Sequence, residues 1–183
     1  MDAVQTFHQF FDCCVGHWET ERTYHYLTRQ HVERSHTEFD VYPVDLERKQ
    51  QVLTDNAYGT VADLGQYPGY HLAFQTVSET GEKVAQALNM LFVFEQEGDH
   101  LVGDYLRDRA YAESSPMIAK FRFDPIAREL RMQTTYTRIV SVDTITLINP
   151  SLRIRKILNY YRPEDGQPLN DMALVGFGVE QKS

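Results

Sequence analysis

Two arginines, Arg153 and Arg155, stand two positions apart in the run Ile148-Asn149-Pro150-Ser151-Leu152-Arg153-Ile154-Arg155. Successive side chains of an extended strand alternate between faces, so these two share one face while Leu152 and Ile154 share the other. Each guanidinium is permanently charged and offers a fork of donors shaped for carboxylates, so the pair either sits in water or answers an anion. A second group lies near the N-terminus, where Trp18, Arg22 and His25 open a segment of period two. Together the two groups point to a pocket for a large, flat ligand with two carboxylates. Alternation constrains the second group. Trp18, Arg22, Tyr24 and Tyr26 share a face, and His25 falls on the opposite one unless a bulge or strong twist intervenes. Candidate acids are Asp143, which shares its face with Ile145 and Leu147, and Glu180, which follows Phe177. A carboxylate turned into an aromatic cavity holds pyrrole-type N–H groups, or rises in pKa and serves as an acid. Turned outward, it is simply solvated.

Other chemistries find little support. The seven histidines contain no HExxH and no tight His-x-His pair, and the adjacent Cys13 and Cys14 do not make a zinc knuckle, so no metal site is expected. There is no G-x-S-x-G elbow, and no Walker or dinucleotide glycine pattern. Cys13 and Cys14 read as half-buried helix residues rather than nucleophiles. The net charge of -8 and the lack of a basic tract argue against nucleic acid, so a bound anion must rely on local arginines. No secretory signal and no membrane-spanning run is apparent. Neighbouring thiols suit a reducing compartment. These features predict a soluble, cytoplasmic protein.

The elements that must position these residues are mostly strands. Residues 3 to about 15 form an amphipathic helix on the spacing of Val4, Phe7, Phe10, Phe11, Cys14 and Val15, with Gly16 able to end it. From Trp18 the period becomes two. Strands are expected at 18–29, 35–43, 70–77, 86–95, 100–108, 117–123, 129–137, 139–148, 152–161 and 172–180, many separated by turn residues such as Thr80-Gly81, Glu97-Gly98 and Asp124-Pro125. Asp45 to Asn56 suits a short helix leading into a loop from Gly59 to Gly69. In strand 86–95, Leu88, Met90, Phe92 and Phe94 form one fully apolar face. About ten short strands after one helix fit a mainly β, up-and-down antiparallel barrel, with residues 1–183 as a single domain and room inside for one small ligand.

The blocks Phe10-Phe11-x-x-x-x-Gly16-x-Trp18-x-x-x-Arg22-Thr23-x-His25 and Asn149-Pro150-x-Leu152-Arg153-x-Arg155 resemble the S/U-type phycobiliprotein lyases (CpcS/CpeS), chromophore lyases of cyanobacteria and related algae. The resemblance covers most of the chain. It implies a lipocalin-like or fatty-acid-binding-protein-like barrel. It also implies binding of a linear tetrapyrrole, a bilin of phycocyanobilin type, as substrate rather than as a permanent cofactor. The bilin would be attached by a thioether bond to a cysteine of an apo-phycobiliprotein subunit, of phycocyanin or allophycocyanin type. Arg22 and Arg153 match family arginines associated with the chromophore, and Arg155 follows in the same motif. Asp143 falls where the family usually carries a glutamate, and Glu180 matches another acidic position. The family's mid-chain tryptophan is absent, with Phe74 in its place. On this reading Arg22, Arg153 and Arg155 hold the bilin propionates, while Trp18, Phe74, Phe92 and Phe94 wall the pocket. Asp143 or Glu180 faces the pyrrole nitrogens, and His25 joins them as a candidate catalytic group. The nucleophile belongs to the partner. No membrane or nucleic-acid partner is implied, and the oligomeric state stays open, a homo-oligomer included.

Two other classes fit the same residues. A lipocalin-like carrier of a fatty acid or other anionic hydrophobic ligand would use the arginines for one carboxylate. A ligand-free interaction domain would fill its barrel with Leu88, Met90 and Phe92.

Overall fold

Inward and outward residues alternate along most of the chain. Ala119, Phe121 and Phe123 are buried between the exposed Ile118, Lys120 and Arg122, for example. The computed structural model describes residues 2–109 and 115–183. Among these, alternation resolves into ten antiparallel strands: β1 (Gly16–Tyr26), β2 (His31–Pro43), β3 (Gly69–Ser78), β4 (Lys83–Glu97), β5 (His100–Arg107), β6 (Met117–Asp124), β7 (Glu129–Thr135), β8 (Ile139–Asn149), β9 (Leu152–Tyr161) and β10 (Met172–Lys182). Each pairs with its neighbour in sequence, and β10 returns to β1, so the sheet closes as a barrel without free edges. The fold is thus the mainly β, up-and-down barrel expected from the turn spacing. Strand ends differ by a few residues. β1 stops at Tyr26 rather than at residue 29, because residues 27–30 turn, with Gln30 at φ 49°.

Helix α1 (Ala3–Cys14) precedes the barrel. Asp2 caps it, its carboxylate accepting from the backbone N–H groups of Val4 and Gln5. The apolar stripe of α1 enters one end of the barrel. Phe7 stacks on Phe121 at 5.6 Å between ring centres, Phe11 lies 4.7 Å from Phe92 and 4.9 Å from Tyr70, and Phe10 lies 5.3 Å from Phe123. The helix is therefore a plug, held by rings that interlock mostly edge to face or offset.

A second helix, α2 (Leu46–Asp55), with Asp45 as its cap, forms the expected short element and packs on the outside of the barrel. Its Val52 and Leu53 cover Leu91 of β4 and Leu106 of β5, and Tyr58, Leu64 and Tyr67 complete this outer cluster. This explains why residues 88–94 read as nearly continuous apolar sequence: both faces of β4 are covered there. Phe94 belongs to the plug, packing on Phe7 and Tyr67.

Phe7 has no access to solvent. Phe7→Ala should lower the unfolding free energy by about 3–5 kcal/mol, the usual cost of emptying an aromatic core site, measured by denaturant unfolding.

Candidate functional site

Between the plug and the far end of the barrel lies a cavity of about 670 Å³, within the usual range for small-molecule sites. Phe10, Phe11 and Cys14 of α1 close it below. At the other end Val84, Thr137 and Arg138 line it and are solvent-exposed, so this end is the mouth. The walls are mainly apolar or aromatic, with Phe39, Leu72, Phe74, Met90, Phe92, Leu130, Met132, Ile145 and Ile157 among them.

Charge is concentrated on one side of the floor, where β1, β10, β9 and β8 adjoin. Arg153 and Glu180 are cross-strand partners, as are Arg155 and Gly178, and Arg22 and Gly178. Glu180 is fully buried. Arg153 Nε donates to its Oε2 at 2.5 Å, and Arg22 Nη2 donates to its Oε1 at 3.1 Å. Arg155 grips Asp143 with two donors, Nε lying 3.0 Å from Oδ1 and Nη2 reaching Oδ2. Arg153 lies over the Trp18 ring at 4.5 Å and the Phe39 ring at 5.0 Å, two rings that are themselves parallel. Burial alone would raise the Glu180 carboxyl. The charges of Arg153, Arg155 and Arg22 outweigh burial and hold it below its ordinary value. Burial opposes the charge on Arg153 as well, and Glu180 restores it. Three guanidiniums against two carboxylates leave the floor with one positive charge in excess.

Two glycines make this arrangement possible. Gly176 and Gly178 face inward on β10. A Cβ at Gly178 would stand 2.8 Å from Thr20 Oγ1 and 3.1 Å from Arg22 Cγ, and one at Gly176 would stand 2.8 Å from the Tyr24 ring. The bare backbone lets Arg22 and Tyr24 lie across β10. The Gly-x-Gly spacing within a strand was the available sign of this, since it places both glycines on one face.

The structure sorts the candidate residues. Arg22, Phe74, Asp143, Arg153 and Arg155 all line the cavity. Four of the expected residues do not, and the first is Phe94, which packs on Phe7 and Tyr67 instead of walling the pocket. His25 is exposed on the outer face, since β1 pairs with both neighbours without a bulge, and this removes its placement as a catalytic group in the cavity. Trp18 is buried below Arg153 and donates its indole N–H to the Cys14 carbonyl at 2.9 Å, so it supports an arginine and the end of α1 rather than walling the pocket. Glu180 is spent on Arg22 and Arg153 and lies outside the cavity lining, which leaves Asp143 as the carboxylate facing inward. Sequence reasoning overlooked Arg107, buried on β5 and donating to Thr134 Oγ1 and the Tyr136 hydroxyl. It also overlooked the cavity-lining Cys14 and Asn159.

A family model described as CpeS-like protein matches residues 6–183. The chain belongs to the CpeS-like family. Chromophore lyase CpcS/CpeS 1 of Synechococcus sp. (strain JA-3-3Ab) is 60% identical over 183 residues, covering 100% of this chain and 99% of that one. Chromophore lyase CpcS/CpeS of Thermosynechococcus vestitus (strain NIES-2133 / IAM M-273 / BP-1) is 23% identical over 152 residues, 80% of this chain and 79% of that one. The S-type phycobiliprotein lyase CPES from Guillardia theta shares the CpeS-like fold, with a TM-score of 0.74 at 14% identity over 100% of this chain and 98% of that one.

In this CpeS-like barrel the charged floor is also a stability element. A carboxyl whose folded pKa lies below its unfolded one adds stability that is complete above the ordinary value of 4.5 and lost as pH falls through the folded value. Glu180→Gln should therefore cost about 3–5 kcal/mol at neutral pH, by leaving buried arginines uncompensated. It should also flatten the loss of stability on acidification, and denaturant titrations at a series of pH values measure both effects. Gly178→Val should displace Arg22 while the plug stays packed, visible as altered cavity-side contacts in a crystal structure of the variant.

Proposed function

We propose that this protein binds a bilin in the barrel and presents it to a cysteine of a phycobiliprotein subunit for thioether formation. The observation that carries this reading is the pairing of a mainly apolar cavity with a positively charged arginine floor. A bilin is a largely apolar conjugated chain bearing two propionates. Arg22, which lines the cavity, supplies a donor for one of them. Arg155, whose Nε and Nη2 hold Asp143, lines the cavity and adds its positive charge for the second. Asp143 faces the pyrrole N–H groups and favours a protonated, positively charged bilin.

The chemistry needs no nucleophile from the barrel. The acceptor's thiolate adds to the exocyclic ethylidene carbon, forming one C–S bond. The π electrons of that double bond move into the conjugated system, which takes up one proton. Nothing leaves and nothing is oxidised. Cys14 does not compete, because burial pushes its thiol above the ordinary value, an effect the Arg153 charge only partly offsets. The barrel's contribution is then to hold one face and one end of the bilin toward the mouth, where positioning alone is worth several kcal/mol. The finer assignment is phycocyanobilin as chromophore and a phycocyanin- or allophycocyanin-type subunit as acceptor, in the cytoplasm. Among the described residues no helix is long and apolar enough to cross a membrane.

A carrier of a single carboxylate would also match the one excess positive charge, and the same assay separates the two. Phycocyanobilin mixed with this protein and an apo-subunit should give colour on the subunit that survives denaturation, whereas a carrier gives colour that remains noncovalent. Arg155→Ala should weaken phycocyanobilin binding by about 10- to 100-fold, the value of a charge-assisted hydrogen bond, with a smaller loss of stability than Arg153→Ala, because Asp143 is less deeply buried than Glu180. Arg153→Ala is less discriminating, because it also strips a partner from the buried Glu180. Wild-type affinity in Arg155→Ala would overturn the propionate role.

A further inference from the structure

The outward residues of a barrel strand are usually polar, as on β7, where they are Glu129, Arg131, Gln133 and Thr135. β10 departs from this rule. Gly176, Gly178 and Glu180 are buried on its inner face, so Val175, Phe177 and Val179 point outward. Phe177 and Val179 are left 48% and 43% exposed. On β9 the outward neighbours of Val175 and Val179 are Leu158 and Ile154, and Leu158 pairs in turn with Val142 on β8. The result is one apolar patch across three strands of the outer wall, and a contiguous apolar surface of this kind marks an interaction site.

The charges beside the patch differ on its two sides. On β1 its outward neighbours include the exposed Glu19 and Glu21, whereas on β9 the exposed Lys156 stands next to Phe177. A two-fold axis lying along β10 sets β10 of one copy on β10 of the other, and lays β9 of each over β1 of the other. Phe177 then meets its own counterpart. Lys156 comes opposite Thr23, two residues along β1 from Glu21, and two long side chains span the roughly 10 Å between stacked sheets. An axis across the strands would lay β9 on β9 and give Lys156 no carboxylate. We propose that the outer face of β8, β9 and β10 is the interface of a two-fold dimer of this chain, with Phe177 at its centre and Lys156 paired with Glu21 of the second copy. Gly178, between Phe177 and Val179, pairs with Arg22 and Arg155, so the interface lies level with the charged floor and both cavity mouths stay open. An acceptor subunit must reach the mouth and is not served by this wall.

Sedimentation velocity over a dilution series tests the proposal, independently of the bilin reading. The wild type should be dimeric when concentrated and dissociate on dilution. Phe177→Glu should raise the dimer dissociation constant about 100-fold, as expected of an aromatic anchor at the centre of an interface. Ile126→Glu, on the exposed β6–β7 turn, should leave it unchanged. Lys156→Glu and Glu21→Lys should each weaken the dimer about tenfold at low salt. Combined, they should restore it to within about threefold of the wild type. These two positions are exposed, so the charge exchange stays informative even if Phe177→Glu fails to fold. A wild type that is monomeric at every concentration would overturn the proposal. So would a dimer indifferent to Phe177→Glu, or a double variant no tighter than the single ones.

Discussion

Glu180 has no contact with water, and it stays ionised because Arg22 and Arg153 take its two oxygens from the strands on either side, with the charge of Arg155 added. A buried charge of this kind is tolerable when every lone pair and proton is answered, and costly when one partner is missing. The condition ties three strands together. β10 lies between β1 and β9, so the carboxylate sits on the seam where the barrel closes. Arg153 in turn rests on Trp18 and Phe39, and Trp18 hydrogen-bonds to the end of α1. The ion network, the aromatic shelf beneath it and the helical plug thus form one continuous assembly.

That assembly separates two jobs the sequence alone presents as one. Charged residues near a ligand can touch it or can hold the residues that do. Glu180 and Trp18 hold, whereas Arg22, Arg155 and Asp143 touch the cavity. The division follows from depth: Trp18 lies near the start of β1 against the end of α1, whereas Arg22, four positions further along, lines the cavity. Phe7, Phe10 and Phe11 therefore set where the ligand floor lies as well as how firmly the barrel end is sealed.

Much of the architecture was legible from period and turn chemistry, because a closed antiparallel barrel is a sum of local hairpins. Alternation placed Arg153 with Arg155 and separated His25 from Arg22, and the coordinates show that geometry. Alternation reports the face of a strand, though, and not the depth within the barrel. For that reason Trp18 and Glu180 looked equivalent to Arg22 and Asp143. The outer helix α2 was legible as a helix, yet its seat was hidden, since Leu91 and Leu106 look like ordinary barrel residues until Val52 and Leu53 cover them. Gly176 and Gly178 carried no obvious chemistry. Their role appears only when Arg22 and Tyr24 are seen lying where side chains on β10 would be.

The Arg22–Glu180 contact joins residues 158 positions apart. Chains emerge from the ribosome N-terminus first, so Arg22 is made early and waits for a partner that arrives almost last. Until β10 is added, the barrel lacks one wall and the floor arginines lack their shared anion. The compartment therefore comes into being at the end of synthesis rather than growing with the chain. A truncated or half-made copy has no enclosed space, and only a finished copy has a compartment at all.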